Sequence, residues 1–186
     1  ESFEWALAED PNITTRFDEL IQTWERGAKW RELALEAFPD ALPVFMGQAL
    51  DAGNAAFFDR YAADFKASGY KLKSPMQRSE FLRRYQAMIG TEAAKAIAKK
   101  DNARIAFLVE HTPTFKTGSM TSPTTHKQLQ ALGNYVLYEA GDEQLTARLF
   151  QLGFEFDNLD LEQLDMKSSL VKSLKADPEN AVRMVG

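Results

Sequence analysis

Apolar residues recur along this chain at the spacing of an α-helix, and the recurrences are broken at intervals by a Gly or Asp suited to ending one helix and capping the next. The clearest instance runs from Asn134 to Asn158. Val136, Leu137 and Ala140 lead into Gly141-Asp142; Leu145, Leu149, Phe150 and Leu152 then share one helical face. Gly153 stands where a left-handed glycine would close that second helix. The same junction returns at Asp10, Gly53, Asp101 and Asp177, at separations of 36 to 48 residues. Periods of this size mark arrays of stacked units. Matching faces follow three of the other markers: Phe57, Phe58 and Tyr61; Ile105, Leu108 and Val109; Ala181, Val182 and Val185. After Asp10 the equivalent residues, Phe17, Leu20 and Ile21, are displaced along the helix.

No stretch alternates apolar and polar positions over a strand length, so the predicted fold class is all-α. The predicted architecture is an α-solenoid of about five stacked helix-turn-helix units in one domain over 1–186. The units fall near 1–27, 40–74, 90–125, 126–160 and 161–186. Extra helices are expected near 28–38, followed by a turn from Asp40 to Pro43, and near 75–89, closed by Gly90. Trp5, Trp24 and Trp30, at helical spacing, are expected to seal the N-terminal end. Two long loops rich in Gly, Pro, Ser and Thr interrupt the pattern at 66–76 and 111–127; a shorter exit spans Phe154 to Asn158.

Composition narrows the classes. Of 186 residues, 45% are hydrophobic and 26% charged, which suits a packed globular chain, and no apolar run approaches the ~20 residues of a membrane span. Without a single cysteine, disulfides, thiolate metal sites and thiol nucleophiles are excluded. The first residue, Glu1, and the apolar ending Ala181 to Gly186 suggest a segment of a longer protein. The net charge of -5 is uneven: Lys66 to Arg104 carries +7, leaving -12 on the remainder. That basic middle is either a solvated helical face or an attractor for an acidic partner.

The turn and helix pattern resembles that of ankyrin repeats. Gly141-Asp142 looks like the turn between the two helices, Leu149-Phe150 like the adjacent large pair of the second helix, Gly153 like the glycine after it, and Asp157-Asn158 like the loop. Val44 to Phe65 matches next best, through Ala49, Gly53-Asn54 and Phe57-Phe58. The Thr-Pro-Leu-His opening of ankyrin units is absent, and the extra helices exceed the usual length, so tetratricopeptide- or HEAT-like helix pairs stand as the alternative.

Catalytic chemistry is sparse. His111 and His126 flank the long loop without an HExxH spacing or a carboxylate one helical turn away, and read as surface or capping residues. Ser119 and Ser122 lack a GxSxG elbow. The acidic group Asp157, Asp160, Glu162 and Asp165 lacks the order and glycine of a calcium loop. No phosphate-cradling glycine motif occurs, so no cofactor is expected. Nucleic acid is disfavoured: Tyr70 and Tyr85 accompany the cations, but the flanks are acidic and no nucleic-acid motif is present.

The expected function is therefore that of a non-enzymatic protein-protein interaction module. The ankyrin resemblance implies ligand contact at the loop tips and the concave face of the first helices. On this chain that points to Tyr70, Lys71 and Lys73, to Phe115, Lys116 and Met120, and to Phe154 and Phe156. Aromatics, Met and cations are typical interface anchors. The aromatic members have a second reading, in which they fold back and pin their loops. The implied partner is another protein bearing an acidic patch, met in the cytoplasm. In the related case of a targeting domain of a bacterial effector or toxin, the setting is the host-cell cytoplasm. The rival from another class is the scaffold portion of an enzyme whose catalytic residues lie largely outside the segment.

Overall fold

A computed structural model of the chain describes residues 22, 26–29, 41–67, 75–116 and 121–159. The described residues form six α-helices and one π-helical segment, with no strand among them. The helices are α1 (Ala41–Asp51), α2 (Ala55–Ala67), α3 (Pro75–Lys99), α4 (Asn102–Glu110), α5 (Pro123–Asn134) and α6 (Glu143–Gln151); the π-helical segment is Tyr135–Ala140. The chain divides into two compact units, Glu1–Ser74 and Pro75–Gly186. The expected seal by Trp5, Trp24 and Trp30, the markers Asp10 and Asp177, and the last unit at 161–186 lie outside the described residues, as does most of the helix near 28–38.

In the first unit α1 packs on α2. Leu42, Met46, Ala49 and Leu50 from α1 meet Phe58, Tyr61, Ala62 and Phe65 from α2 in a shared core. The turn expected from Asp40 to Pro43 is instead the start of a helix at Ala41. Pro43 is accommodated because the first turn of a helix has no internal acceptors for its N–H groups.

One turn recurs across the helix junctions. Gly53 (φ 64°) and Lys100 (φ 52°) are left-handed residues after α1 and α3. Gly53 N–H bonds the Leu50 carbonyl at 3.2 Å and Asn54 N–H bonds that of Ala49 at 2.8 Å. Lys100 and Asp101 repeat both bonds to Ile97 and Ala96, at 3.0 and 2.9 Å. This is the Schellman C-cap. The residue after each left-handed position then caps the next helix. Asn54 Oδ1 accepts from Phe57 N–H at 3.0 Å and Asp101 Oδ1 from Arg104 N–H at 2.9 Å. After Gly141 (φ 62°), Asp142 Oδ1 accepts from Leu145 N–H at 2.9 Å. Each cap is worth about 1 kcal/mol. The residue equivalent to Gly53 and Gly141 is thus Lys100, one position before the marker expected at Asp101.

In the second unit α3 packs on α5 and α4 packs on α6, while α3 also meets α4 and α6 meets the π-helical segment. Two boundaries differ from expectation. The helix expected to stop at Gly90 runs through it to Lys99, 25 residues in all. Gly90 is a contact residue: a Cβ there would lie 3.0 Å from Gln128 Oε1 and 3.1 Å from Gln128 Cβ of α5. Close approach of α3 to α5 therefore offsets the helix-propensity cost of glycine, about 1 kcal/mol relative to Ala. The loop expected over 111–127 ends earlier, because Ser122 caps α5 by accepting from Thr125 N–H and Pro123 occupies its first turn. The first helix of the Gly141 unit accordingly begins at Pro123. Ile105, Leu108, Leu132, Val136 and Leu149, all fully buried, carry this core together with Tyr85 and Ile89.

Candidate functional site

The chain leaves the helix layers after α4 and again after α6, and the two exits are bonded to each other. After α4, His111 caps the helix: its N–H and its Nδ1 both approach the Phe107 carbonyl, at 3.1 and 2.8 Å. A carbonyl only accepts, so Nδ1 carries a proton. Tyr85 of α3 donates its hydroxyl to the His111 carbonyl, and Thr112 Oγ1 returns to Leu108 O at 2.7 Å. After α6, Gly153 (φ 77°) and Phe154 form the same C-cap as Gly53, bonding Phe150 O and Leu149 O at 2.9 and 3.0 Å.

Leu152 O is the meeting point. It accepts from Phe115 N–H at 2.7 Å and from Thr114 Oγ1 at 3.1 Å. Thr114 Oγ1 in turn accepts from Lys116 N–H at 3.0 Å. Beneath this bond the Phe115 ring meets Phe154 edge-on at 5.4 Å, and Phe154 meets Phe156 at 4.8 Å. Phe156 also lies 5.7 Å from Phe150. Gly133 of α5 makes room for this cluster, since a Cβ there would fall 2.4 Å from the Phe154 ring.

The outer part of the second exit is tied to α5. Gln130 Nε2 donates to Glu155 O at 2.7 Å while its Oε1 accepts from Asp157 N–H at 3.1 Å. One side-chain amide thus holds two backbone groups of the exit. His126 Nε2 pairs with Asp157 Oδ2 at 2.7 Å, with both side chains about half exposed.

Of the residues expected at a partner surface, Phe115, Lys116, Phe154 and Phe156 converge on this junction. Tyr70, Lys71, Lys73 and Met120 lie outside the described residues, as do Ser119, Asp160, Glu162 and Asp165. Phe115 and Phe154 are buried, at 4% and 5% exposure, and serve as the pins between exits instead of as anchors for a partner. Their rings find each other and the space over Gly133 before they find solvent. Lys116 is exposed, with its stem over Gly153, and Phe156 is part-exposed.

Three cations of the basic middle, Arg84, Lys95 and Arg104, are paired with carboxylates of the same unit. Arg84 meets Glu80 at 2.5 Å, and Glu92 accepts from Lys95 at 2.6 Å and from Arg104 at 3.1 Å. Burial pushes the Glu92 carboxyl up, but the bonds from Lys95 and Arg104 and their charges outweigh it, so its pKa lies below the usual value of 4.5. Arg78 and Arg83 of α3 remain exposed.

Between α4 and α6 lies a cleft of about 630 Å³, lined by residues including Phe107, Glu110, Leu145 and Arg148. The Phe107 ring stacks on His111 at 4.2 Å, and Arg104 sits 5.4 Å from its centroid. Arg148 Nε is buried and has no hydrogen-bond partner among the described residues; the nearest carboxylate oxygen paired with it, Glu110 Oε2, is 3.9 Å away. This cleft was not anticipated. Polar residues at helical spacing on α4 and α6 signal exposed faces, but only the α4–α6 packing sets those faces opposite each other.

Set beside known proteins, the chain matches no family model, no curated protein and no solved structure. No described helix is long and apolar enough to cross a membrane.

Proposed function

We propose that this chain is a non-enzymatic interaction module built from helix pairs, which recognises another protein with the surface around its paired exits. The carrying observation is the Phe115–Leu152 hydrogen bond: it holds two otherwise irregular segments in one fixed arrangement, with Lys116, Glu155 and part of Phe156 facing outward. A preorganised surface loses little freedom on binding, and a part-exposed aromatic is a common interface anchor. The irregular segment at 111–116 is thereby tied to a fixed partner.

The stack itself is read as solenoid-like, because α3 meets α5 and α4 meets α6, as consecutive helix pairs do when they stack in parallel layers. The Gly53, Lys100 and Gly141 turns support an ankyrin-like register, while the length of α3 departs from ankyrin proportions and favours the wider class of helix-pair repeats. The partner is a protein with an acidic patch facing Lys116 and the exposed Arg78 and Arg83 of α3; the targeting domain of a bacterial effector or toxin is one setting for such a module. The test is Lys116→Glu combined with Phe156→Ala. Affinity for the protein bound by the wild-type chain should fall at least tenfold, with the fold retained; unchanged affinity would remove the exit surface from the binding function.

A further inference from the structure

We infer that Gly153 is a positioning residue of the exit surface: it seats the aliphatic stem of Lys116 and so aims the ammonium at an Asp or Glu carboxylate of the partner protein. This rests on the reading of the paired exits as the partner surface. A Cβ built on Gly153 would lie 2.5 Å from Lys116 Cγ, 2.8 Å from Cε and 3.2 Å from Cδ. The stem thus lies against the glycine backbone, in space that any other residue's side chain would take. Its root is held as well, by Lys116 N–H on Thr114 Oγ1 at 3.0 Å and by the neighbouring Phe115 N–H on Leu152 O at 2.7 Å. Lys116 is exposed and forms no ion pair among the described residues, whereas Arg84, Lys95 and Arg104 each meet a carboxylate.

The other left-handed glycines separate this contact from the demands of the backbone. Gly53, Gly141 and Gly153 have φ of 64°, 62° and 77°, so a Cβ is strained at each. At Gly53 and Gly141 no described atom lies within 4 Å of that Cβ; at Gly153 the Lys116 stem does. The turn explains a glycine at all three positions, and the seat for Lys116 belongs to one. Lysine has among the most rotamer freedom to lose when it is immobilised by a partner. The seat removes part of that freedom beforehand and leaves three N–H donors at the tip for a carboxylate.

The test uses the full chain with ¹³C-labelled lysine and two probes, acetyl-Glu-Glu-Glu-amide and acetyl-Gln-Gln-Gln-amide. Without peptide, ¹³Cε relaxation should show Lys116 more ordered than the exposed Lys127 of α5. Gly153→Ala should bring Lys116 to the mobility of Lys127. Gly141→Ala, which imposes the same backbone strain where no side chain is met, should leave Lys116 ordered. The Glu peptide should shift the Lys116 Cε resonance saturably, at least threefold more weakly in Gly153→Ala and with wild-type affinity in Gly141→Ala. The Gln peptide should give no saturable shift. A Lys116 as mobile as Lys127 in the wild type, equal affinity in wild type and Gly153→Ala, or equal losses in Gly141→Ala and Gly153→Ala would each overturn the positioning role and leave the exit surface standing. No saturable shift at Lys116 with the Glu peptide, or the same shift with the Gln peptide, would overturn both.

Discussion

Phe115 donates its backbone N–H to the carbonyl of Leu152 at 2.7 Å, joining the segment after α4 to the segment after α6. Residues 37 positions apart in sequence thereby fix the geometry of the only exits described in the second unit. The rings of Phe115, Phe154 and Phe156 do the packing, and the side chains of Lys116 and Glu155 beside them are exposed.

The ring cluster depends on the absence of a side chain at Gly133. Gly133→Ala places a methyl group 2.4 Å from Phe154, whose ring is hemmed in by Phe115 and Phe156 and has little room to retreat. Overpacking of this kind costs about 2 kcal/mol. Denaturant unfolding should show that loss, together with faster hydrogen exchange at the Phe115 amide. Phe154→Ala, which empties the cluster, should cost about 3 kcal/mol.

Lys100 occupies a left-handed conformation without being glycine, at φ 52°. Its equivalents Gly53 and Gly141 avoid the steric penalty between Cβ and the following carbonyl. Lys100→Gly should stabilise the protein by about 0.5–1 kcal/mol in thermal or denaturant melts, even though glycine costs more backbone entropy on folding. A destabilised variant would mean that the Lys100 side chain contributes more than the strain it carries.

Glu92 links α3 to α4 through Arg104. Its folded pKa is depressed, so its stabilising contribution is complete above the ordinary value of 4.5 and is lost as pH falls through the lower folded value. Wild type should therefore lose stability relative to Glu92→Gln as pH is taken from 6 towards 3. At neutral pH the variant should be less stable by about 1.5–3 kcal/mol, the range of a hydrogen bond to a charged group. Urea titrations at a series of pH values, compared between the two proteins, isolate this carboxyl from the others.

Gln130 clamps the second exit by two backbone groups. Gln130→Leu leaves Glu155 O and Asp157 N–H to water and should increase proteolytic nicking near residues 155–158, while changing global stability by only about 1 kcal/mol. Limited proteolysis followed by mass spectrometry gives the cut sites.

The all-helical class and the junctions at Gly53, Gly141 and Gly153 were legible because they rest on local signals: 3.6-residue periodicity, left-handed glycines and Asx caps. Lys100 was misplaced by one residue for the same reason, since no glycine announced the turn. Gly90 read as a helix end because its role, contact with Gln128, is tertiary. Ser122-Pro123 carried a clear helix start that the surrounding Thr-rich run concealed. At the site, residue types singled out Phe115, Lys116, Phe154 and Phe156, which the structure brings to one junction, but gave no sign of its layering. Whether Phe115 and Phe154 face solvent or each other depends on Gly133, which lies in a different helix and has no signature of its own in the sequence.

The central claim, that the paired exits form the partner surface, is tested most directly by placing a photo-crosslinking phenylalanine analogue at position 116, at position 155 or, as a control, at the exposed Lys99 on the end of α3. In cells of the source organism, positions 116 and 155 should each yield one dominant covalent adduct with the same protein, and position 99 should not. No adduct at 116 and 155, or the same adduct pattern at all three positions, would contradict it.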